Sequence, residues 1–490
     1  MEMPDHFQPT LPLIFLAGYF LLVTVFSHFF AHRLTSLRDF FLAGRTLHSG
    51  LIAVAFVAAW FGASSTLGTI DKLHQQGLSG LWYIVIPSII SCLLITLWMA
   101  RPIAAMATLS QPEAVEKQYG PLARILLSII ILCALTGFLA AQMVACGKML
   151  HGLFGLDPVW AIILSTTVVV SYAMSGGFFA VAVTDTAQLS CIAVALVVLL
   201  VFCAGQAVQP GSALWFTLSH QPAGFWNLLS PGSTGTFIPP SDFLAQSAAM
   251  AFSFVCAWII APEMWQRMSA TDHPQVAWRA GWIATGILAV LFAMVVFIGI
   301  SSIGLVDTEN DVLIALAYQL PAPWLTYLVL IGFVSAVTST MDSSINVGSL
   351  TLTHDLYQRF LRPDAGEKEL VWMGRVFTAL MPLPAMAIAF GKSDIIAVLW
   401  LSADVFASAM FIPVMGLLFW PNPHRLSGLL AMLFGFGVVV VGGLVQYGGL
   451  AMPWPVAPYS TLVGIGLSAA GFLAGELYKN CSTRGRTTPC

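Results

Sequence analysis

Two stretches of small and hydroxyl-bearing residues interrupt long apolar runs: Trp60-Phe61-Gly62-Ala63-Ser64-Ser65, and Ser335-Ala336-Val337-Thr338-Ser339-Thr340-Met341-Asp342. In hydrocarbon, exposed backbone groups and unpaired hydroxyls are costly, so polar residues at mid-span line a cavity or an ion path. Ala336, Ser339 and Thr340 fall at i, i+3 and i+4 and share one helical face. Gly62 and Gly68 bracket a stretch able to unwind and present carbonyls. Neutral carbonyl and hydroxyl oxygens suit a monovalent hard cation, whereas a divalent ion demands carboxylates. The alternative is that Ser339 and Thr340 bond back to carbonyls of their own helix. Spacing alone leaves both readings open.

The elements that must hold these residues are membrane helices. Of 490 residues 58% are hydrophobic and only 8% charged, with a mean hydropathy of +0.87. Soluble domains carry about a quarter charged residues. The expectation is an all-α integral membrane protein with about 13 spans, the first starting at Leu11 and the last ending near Leu477. The first run lacks a basic n-region and a small-residue cleavage site, which predicts a retained helix rather than a signal peptide. Alternating the loops puts 16 of the 19 Lys and Arg on one side. The positive-inside rule then predicts a multi-pass protein of the cytoplasmic membrane, N-terminus outside and C-terminus cytoplasmic.

After the first span, five spans run to Phe202, a Pro-, Gly- and Ser-rich loop follows from Gln206 to Asp242, and five more run to Phe419. Because five is odd, the second set enters the membrane in the opposite sense, the arithmetic of an inverted repeat. The predicted division is 1–47 for the N-terminal end, first span and cytoplasmic loop, 48–205 for the first five-helix repeat, 206–242 for an extracellular loop, 243–420 for the second repeat, and 421–490 for two peripheral helices and a short tail. Pro262 and Glu263 are expected to mark another break and an inner gate, with Gln266 and Arg267 at the cytoplasmic surface. Asp342, one turn from Ser339, is a candidate to bind an ion or take a proton, or else a polar residue in a wet crevice. His28, His32, His74 and His354 are expected at span ends.

Other chemistries are excluded. Gly391-Lys392-Ser393 imitates the end of a phosphate loop, but Met386 stands where the first glycine should. No HExxH or GxSxG motif suggests an enzyme, and neither nucleotide nor nucleic acid is expected as a partner. The eight cysteines are scattered without a CxxC pair and read as small core residues, not as disulfides or metal ligands. Asn480-Cys481-Ser482 is a glycosylation sequon in form only, on the predicted cytoplasmic tail.

Four segments carry a resemblance. Phe40-Phe41-Leu42-Ala43-Gly44-Arg45, Gly176-Gly177 with Thr184-Asp185-Thr186-Ala187-Gln188, Gln266-Arg267, and Ser335 to Ser343 resemble the sodium:solute symporter family, in order, from about Asp39 to Phe419. The resemblance implies a LeuT-type five-plus-five core, with one helix before it and two after, that couples uptake of a small solute to sodium. By position it implies a sodium site formed by the carbonyls of Ala58, Phe61 and Ala336 and the hydroxyls of Ser339 and Thr340, with Asp185 on the sodium exit path. Thr184-Asp185 before an apolar run also reads as an ordinary helix N-cap.

Within that family, Ala59-Trp60-Phe61-Gly62 and Trp400-Leu401-Ser402-Ala403-Asp404 look most like the high-affinity choline transporter branch. Trp60 and Asp404 suit a cationic or zwitterionic amine, since aromatic faces attract ammonium groups and an intramembrane carboxylate marks function. The cage departs from that branch: Phe138 stands where it has a tryptophan, and Trp258 is a neighbouring source of an aromatic face. Ser65 completes the substrate candidates.

The expected function is sodium-coupled symport by alternating access, with solute, sodium and the bilayer as partners and sodium as the only ion. The alternatives are a proton-coupled carrier using Asp342 or Asp404, and a solute sensor that keeps the fold. The short stretch after Leu477 counts against the sensor.

Overall fold

The computed structural model describes residues 10–30, 35–208, 213–221, 224–229, 240–308, 311–391, 395–447 and 459–484. Among the described residues every regular element is helical, apart from an isolated bridge between Thr46 and Thr271. Lys392, Ser393, His32, residues 209–212, 222–223 and 230–239 of the 206–242 loop, and the side chains of His28, the sequon and the last two cysteines lie outside the described residues. Nine described helices are long and apolar enough to cross a membrane, or ten with the bent pair Asp242–Trp258 and Pro262–Ser269. Helices are the required solution in hydrocarbon, because each backbone N–H and C=O finds its partner within the segment. Prolines open many of them, including Pro121, Pro262, Pro274 and Pro323, where the missing N–H is unneeded.

The predicted spans from Val159 to Ala173 and from Ala187 to Phe202 are two limbs of one 51-residue helical element, Pro158–Val208. At 1.5 Å per residue it would reach about 75 Å, far beyond the roughly 30 Å of hydrocarbon, so it must turn. It turns at Gly177, with φ 57° and ψ −162°. A Cβ there would lie 2.5 Å from the Phe40 carbonyl oxygen, so the same glycine admits the short Leu37–Leu42 helix. Thr184 and Asp185 lie well inside the second limb, which removes the N-cap reading of Asp185.

The centre of the bundle is Pro323–Leu350, where every residue from Val329 onward is buried. It is continuous, contrary to the expected interruption at Ser335 to Asp342. The hydroxyls of Ser335, Thr338, Ser343 and Ser344 each bond a carbonyl four residues back at 3.0, 3.0, 2.8 and 3.1 Å. Satisfied in this way, the polar residues need no unwound backbone. The helix continues into a wider-wound turn, Thr351–Leu361. Trp160, Val201, Val290 and Leu383 stand exposed on the outside of the bundle, as lipid-facing side chains should.

One end of the bundle carries an ion-pair lattice. Glu116, on the Gln111–Tyr119 helix, meets Arg124 at 2.6 Å and Arg359 at 2.8 Å, and Arg124 also meets Asp355 at 2.8 Å. These contacts tie the bases of Pro121–Phe154 and Thr351–Leu361 together. Neighbouring Glu113 is pushed up by partial burial, but the His354 ring, the Leu109 N–H and Lys117 outweigh that and hold it at about 2.

Candidate ion and solute site

The first interruption is a true break. Helix Ser49–Trp60 ends, Phe61 turns the chain at φ −91° and ψ 61°, and helix resumes through Ser64–Gly68 and Thr69–Gln76. Gly62 allows this, because a Cβ there would sit 2.5 Å from Thr340 Oγ1 and 2.9 Å from Gln142 Oε1. The freed groups are answered by side chains. The Ala63 N–H donates to Gln142 Oε1 at 3.0 Å, the Trp60 carbonyl accepts from Ser65 at 3.0 Å, and the Gly62 carbonyl accepts from Thr66 at 2.8 Å.

The Ala58 carbonyl, just before the break, accepts from Ser339 at 3.0 Å and Thr340 at 3.4 Å. The same two hydroxyls reach the Ala336 carbonyl of their own helix at 2.9 and 3.1 Å. Four of the five oxygens expected to hold a cation thus converge, and buried Phe61 forms the adjoining turn. The hydroxyls bond back to the Ala336 carbonyl, the second of the two readings, and also reach across to the Ala58 carbonyl. Neutral oxygens from two helices are a donor set that suits a monovalent hard cation better than a divalent one.

Beside this pocket stands an aromatic cluster. Trp60 stacks on Phe56 with centroids 5.5 Å apart and leans on Trp258 at 5.5 Å. Trp258 meets Phe138 edge-on at 5.2 Å and Phe254 at 5.3 Å, and Phe254 meets Trp400 at 6.1 Å. Trp60, Phe138 and Trp258 are therefore brought together. Ser65 is turned to the Trp60 carbonyl. Asp404 lies elsewhere in its contacts, its carboxylate accepting from Thr461 on the Tyr459–Arg484 helix.

The second break falls where Pro262 was expected to put it, with a bend of 42° between Asp242–Trp258 and Pro262–Ser269. Gln111 donates to the Ile260 carbonyl exposed there, at 3.0 Å. Beyond the bend, Gln266 and Arg267 are buried, correcting the expectation that they lie at the surface. Arg267 is fully buried: it lies 3.7 Å from Asp185, reaches Asp342 through Ser343, and donates to the backbone carbonyls of Ala55 at 2.8 Å and Glu263 at 3.2 Å, with the Glu263 carboxylate adding a third nearby negative charge. Asp342 also accepts from the Tyr172 hydroxyl at 2.7 Å. Asp185 and Asp342 share this one buried guanidinium. Both Asp185 oxygens and Glu263 Oε2 lack hydrogen-bond donors.

Sequence reasoning missed Gln142, Tyr172 and the surroundings of Arg267, and it missed two sets of long-range contacts on either side of the break. Arg45 donates to the Thr271 carbonyl at 2.6 Å and the Ala104 carbonyl at 2.9 Å, before the break. Past the break, toward the other end of the same broken helix, Asp71 accepts from the Val312 N–H at 2.9 Å and Lys148 pairs with Asp311 at 3.1 Å. No local signal marks these charges, whose partners are far away in sequence.

The chain is 26% identical to the sodium/proline symporter of Haemophilus influenzae, covering 85% of this chain and 84% of that protein. It is 27% identical to the high-affinity proline transporter PutP of Bacillus subtilis, with 84% and 88% covered. It is 23% identical to the high-affinity choline transporter 1 of Caenorhabditis elegans, with 82% and 70% covered. Among solved structures it resembles a Na+-coupled sialic acid symporter in a substrate-bound outward-open state, with a TM-score of 0.76 at 16% identity over 95% of this chain and 98% of that one. MhsT in complex with L-phenylalanine gives 0.53 at 13% identity over 87% and 97%. At these identities the structural likeness speaks for the fold, that of LeuT-type transporters. The model of the sodium:solute symporter family matches residues 40–435, and the chain belongs to that family of membrane transporters with sodium as coupling ion.

Proposed function

We propose that this protein is a secondary active symporter that couples sodium entry to uptake of a small zwitterionic solute bearing a carboxylate, with proline as the first candidate. The observation that carries the reading is the Ala58 carbonyl, which Ser339 and Thr340 both reach at the break, beside the Trp60–Trp258–Phe138 cluster. Proline symporters recur among the relatives, which favours the zwitterionic of the two kinds of amine expected from Trp60 and Asp404.

In this reading sodium is held by the carbonyls of Ala58, Phe61 and Ala336 and the hydroxyls of Ser339 and Thr340. Holding both the broken helix and Pro323–Leu350, it stabilises one state of the carrier over the other. Solute binds against Trp60, Phe138 and Trp258. The Arg45 contacts to Thr271 and Ala104 part on the cytoplasmic side, and sodium leaves past Asp185. The chain is organised as two inverted five-helix repeats with one helix before and two after, the arginine-rich end facing the cytoplasm. Asp342 and Glu263, paired with Arg267, serve the inner gate, while Asp404 anchors a peripheral helix.

The test is uptake of radiolabelled proline into liposomes reconstituted with the purified protein, under an inward sodium gradient and, separately, under a proton gradient without sodium. Sodium-dependent accumulation supports the reading. Accumulation driven by the proton gradient alone supports the proton-coupled alternative instead.

A further inference from the structure

Two buried donors beside the break have no acceptor. Gln142 is 1% exposed, and its Oε1 takes the Ala63 N–H at 3.0 Å. A backbone amide only donates, so the side-chain oxygen must face it, and Nε2 is turned away with both its hydrogens. Nε2 has no hydrogen-bond partner, and neither does Nε1 of Trp258, which is 5% exposed. Gln142 stands one turn along Pro121–Phe154 from Phe138, whose ring meets Trp258 edge-on. Both donors therefore belong to residues that adjoin Phe138, Gln142 one turn along its helix and Trp258 across from its ring. Leaving such N–H groups dry and unmet costs about 1–3 kcal/mol each, and an acceptor supplied by a ligand recovers it.

We infer that Gln142 Nε2 and Trp258 Nε1 receive the carboxylate of the solute, while the faces of Trp60 and Phe138 take its ammonium. The inference rests on the solute site proposed above and deepens it: the negative end of the solute decides what is carried. A charge-assisted hydrogen bond from each donor gives a carboxylate the advantage over an amide or an alcohol of the same shape. Gln142 is a specificity residue that also caps the break, so solute binding and the conformation of the broken helix meet in one side chain. Sequence could not show this, because Gln142 and Ala63 are 79 residues apart.

The experiment uses two pairs of probes that differ at the acceptor: proline against prolinamide, and glycine betaine against choline. Thermal stability of the purified full-length protein is measured in sodium with each probe, for wild type, Trp258→Phe and Gln142→Glu. Trp258→Phe removes the N–H and keeps a ring. Gln142→Glu keeps an oxygen for the Ala63 N–H and opposes a carboxylate ligand with its own charge. Monodispersity on size exclusion checks that each variant is folded. The expected result is stabilisation by proline and betaine over prolinamide and choline, weakened about tenfold or more in apparent affinity in both variants, the weight of one hydrogen bond to a charged group. Choline or prolinamide binding as well as its carboxylate partner overturns the inference. So does retention of proline affinity in both variants, an outcome that leaves the proposed transport of proline standing. Binding of betaine but not proline, lost in the variants, leaves the inference standing and removes proline as the solute.

Discussion

The hydroxyl of Ser339 donates to the carbonyl of Ala58 at 3.0 Å across 281 residues of sequence, joining the buried Pro323–Leu350 helix to the last turn before the break. Ser339 and Thr340 together hold four oxygens in one place. Replacing both with alanine removes two hydroxyls and one methyl group. Sodium-stimulated uptake should fall to background while membrane insertion and monodispersity persist. Retained sodium stimulation in the double variant would sink the assigned ion site.

Gly62 is the least replaceable residue of the break. A methyl group there meets Thr340 Oγ1 and Gln142 Oε1 well inside contact distance. Gly62→Ala should lose transport and destabilise the protein by about 1–3 kcal/mol, the usual cost of overpacking a filled interior. A thermal melt with parallel uptake checks this, and an unchanged melt would mean that the break relaxes to admit the methyl.

Arg267 is the counter-charge for Asp185, Asp342 and Glu263. Arg267→Gln leaves buried carboxylates uncompensated, and breaking one partner of a buried pair costs about 3–5 kcal/mol. The variant should be recovered poorly as folded protein. Asp185→Asn, which keeps shape and removes one charge from a site with an excess of them, should fold, and its defect should appear in transport. Equal yields from both variants on fluorescence-detected size exclusion would contradict this ordering.

Glu113 gives the arginine-rich end a pH dependence. Its folded value is lowered from 4.5 to about 2, so it stabilises the fold fully above its ordinary value and progressively less as pH falls from about 4.5 toward 2. Its side chain is 22% exposed. Glu113→Gln should lower stability at pH 7 by about 1–2 kcal/mol after allowance for solvent screening, with the gap from wild type narrowing in acid. Parallel melts at pH 7 and pH 3.5 test the sign, and a gap that widens in acid would refute it.

Much of the architecture was legible because the lipid dictates it locally. A run of apolar residues near 20 long must become a helix in hydrocarbon wherever it lies in the chain, and the breaks at Gly62 and Pro262 follow from residues that weaken or end a helix. Clustered motifs from Phe40 to Ser343 sufficed for the family. The same local reasoning failed at Ser335 to Asp342, which looks like a second interruption but stays helical because its hydroxyls satisfy the carbonyls behind them. It failed again at Arg267, read as a surface charge from its place near a helix end and found buried among carboxylates on other helices. Local sequence determined which segments enter the membrane and where the first of them must yield. Tertiary structure alone decided which oxygens face Ala58, which charges share Arg267 and which amide caps Ala63. These are pairings between helices far apart in the chain, set by packing geometry that hydropathy does not record.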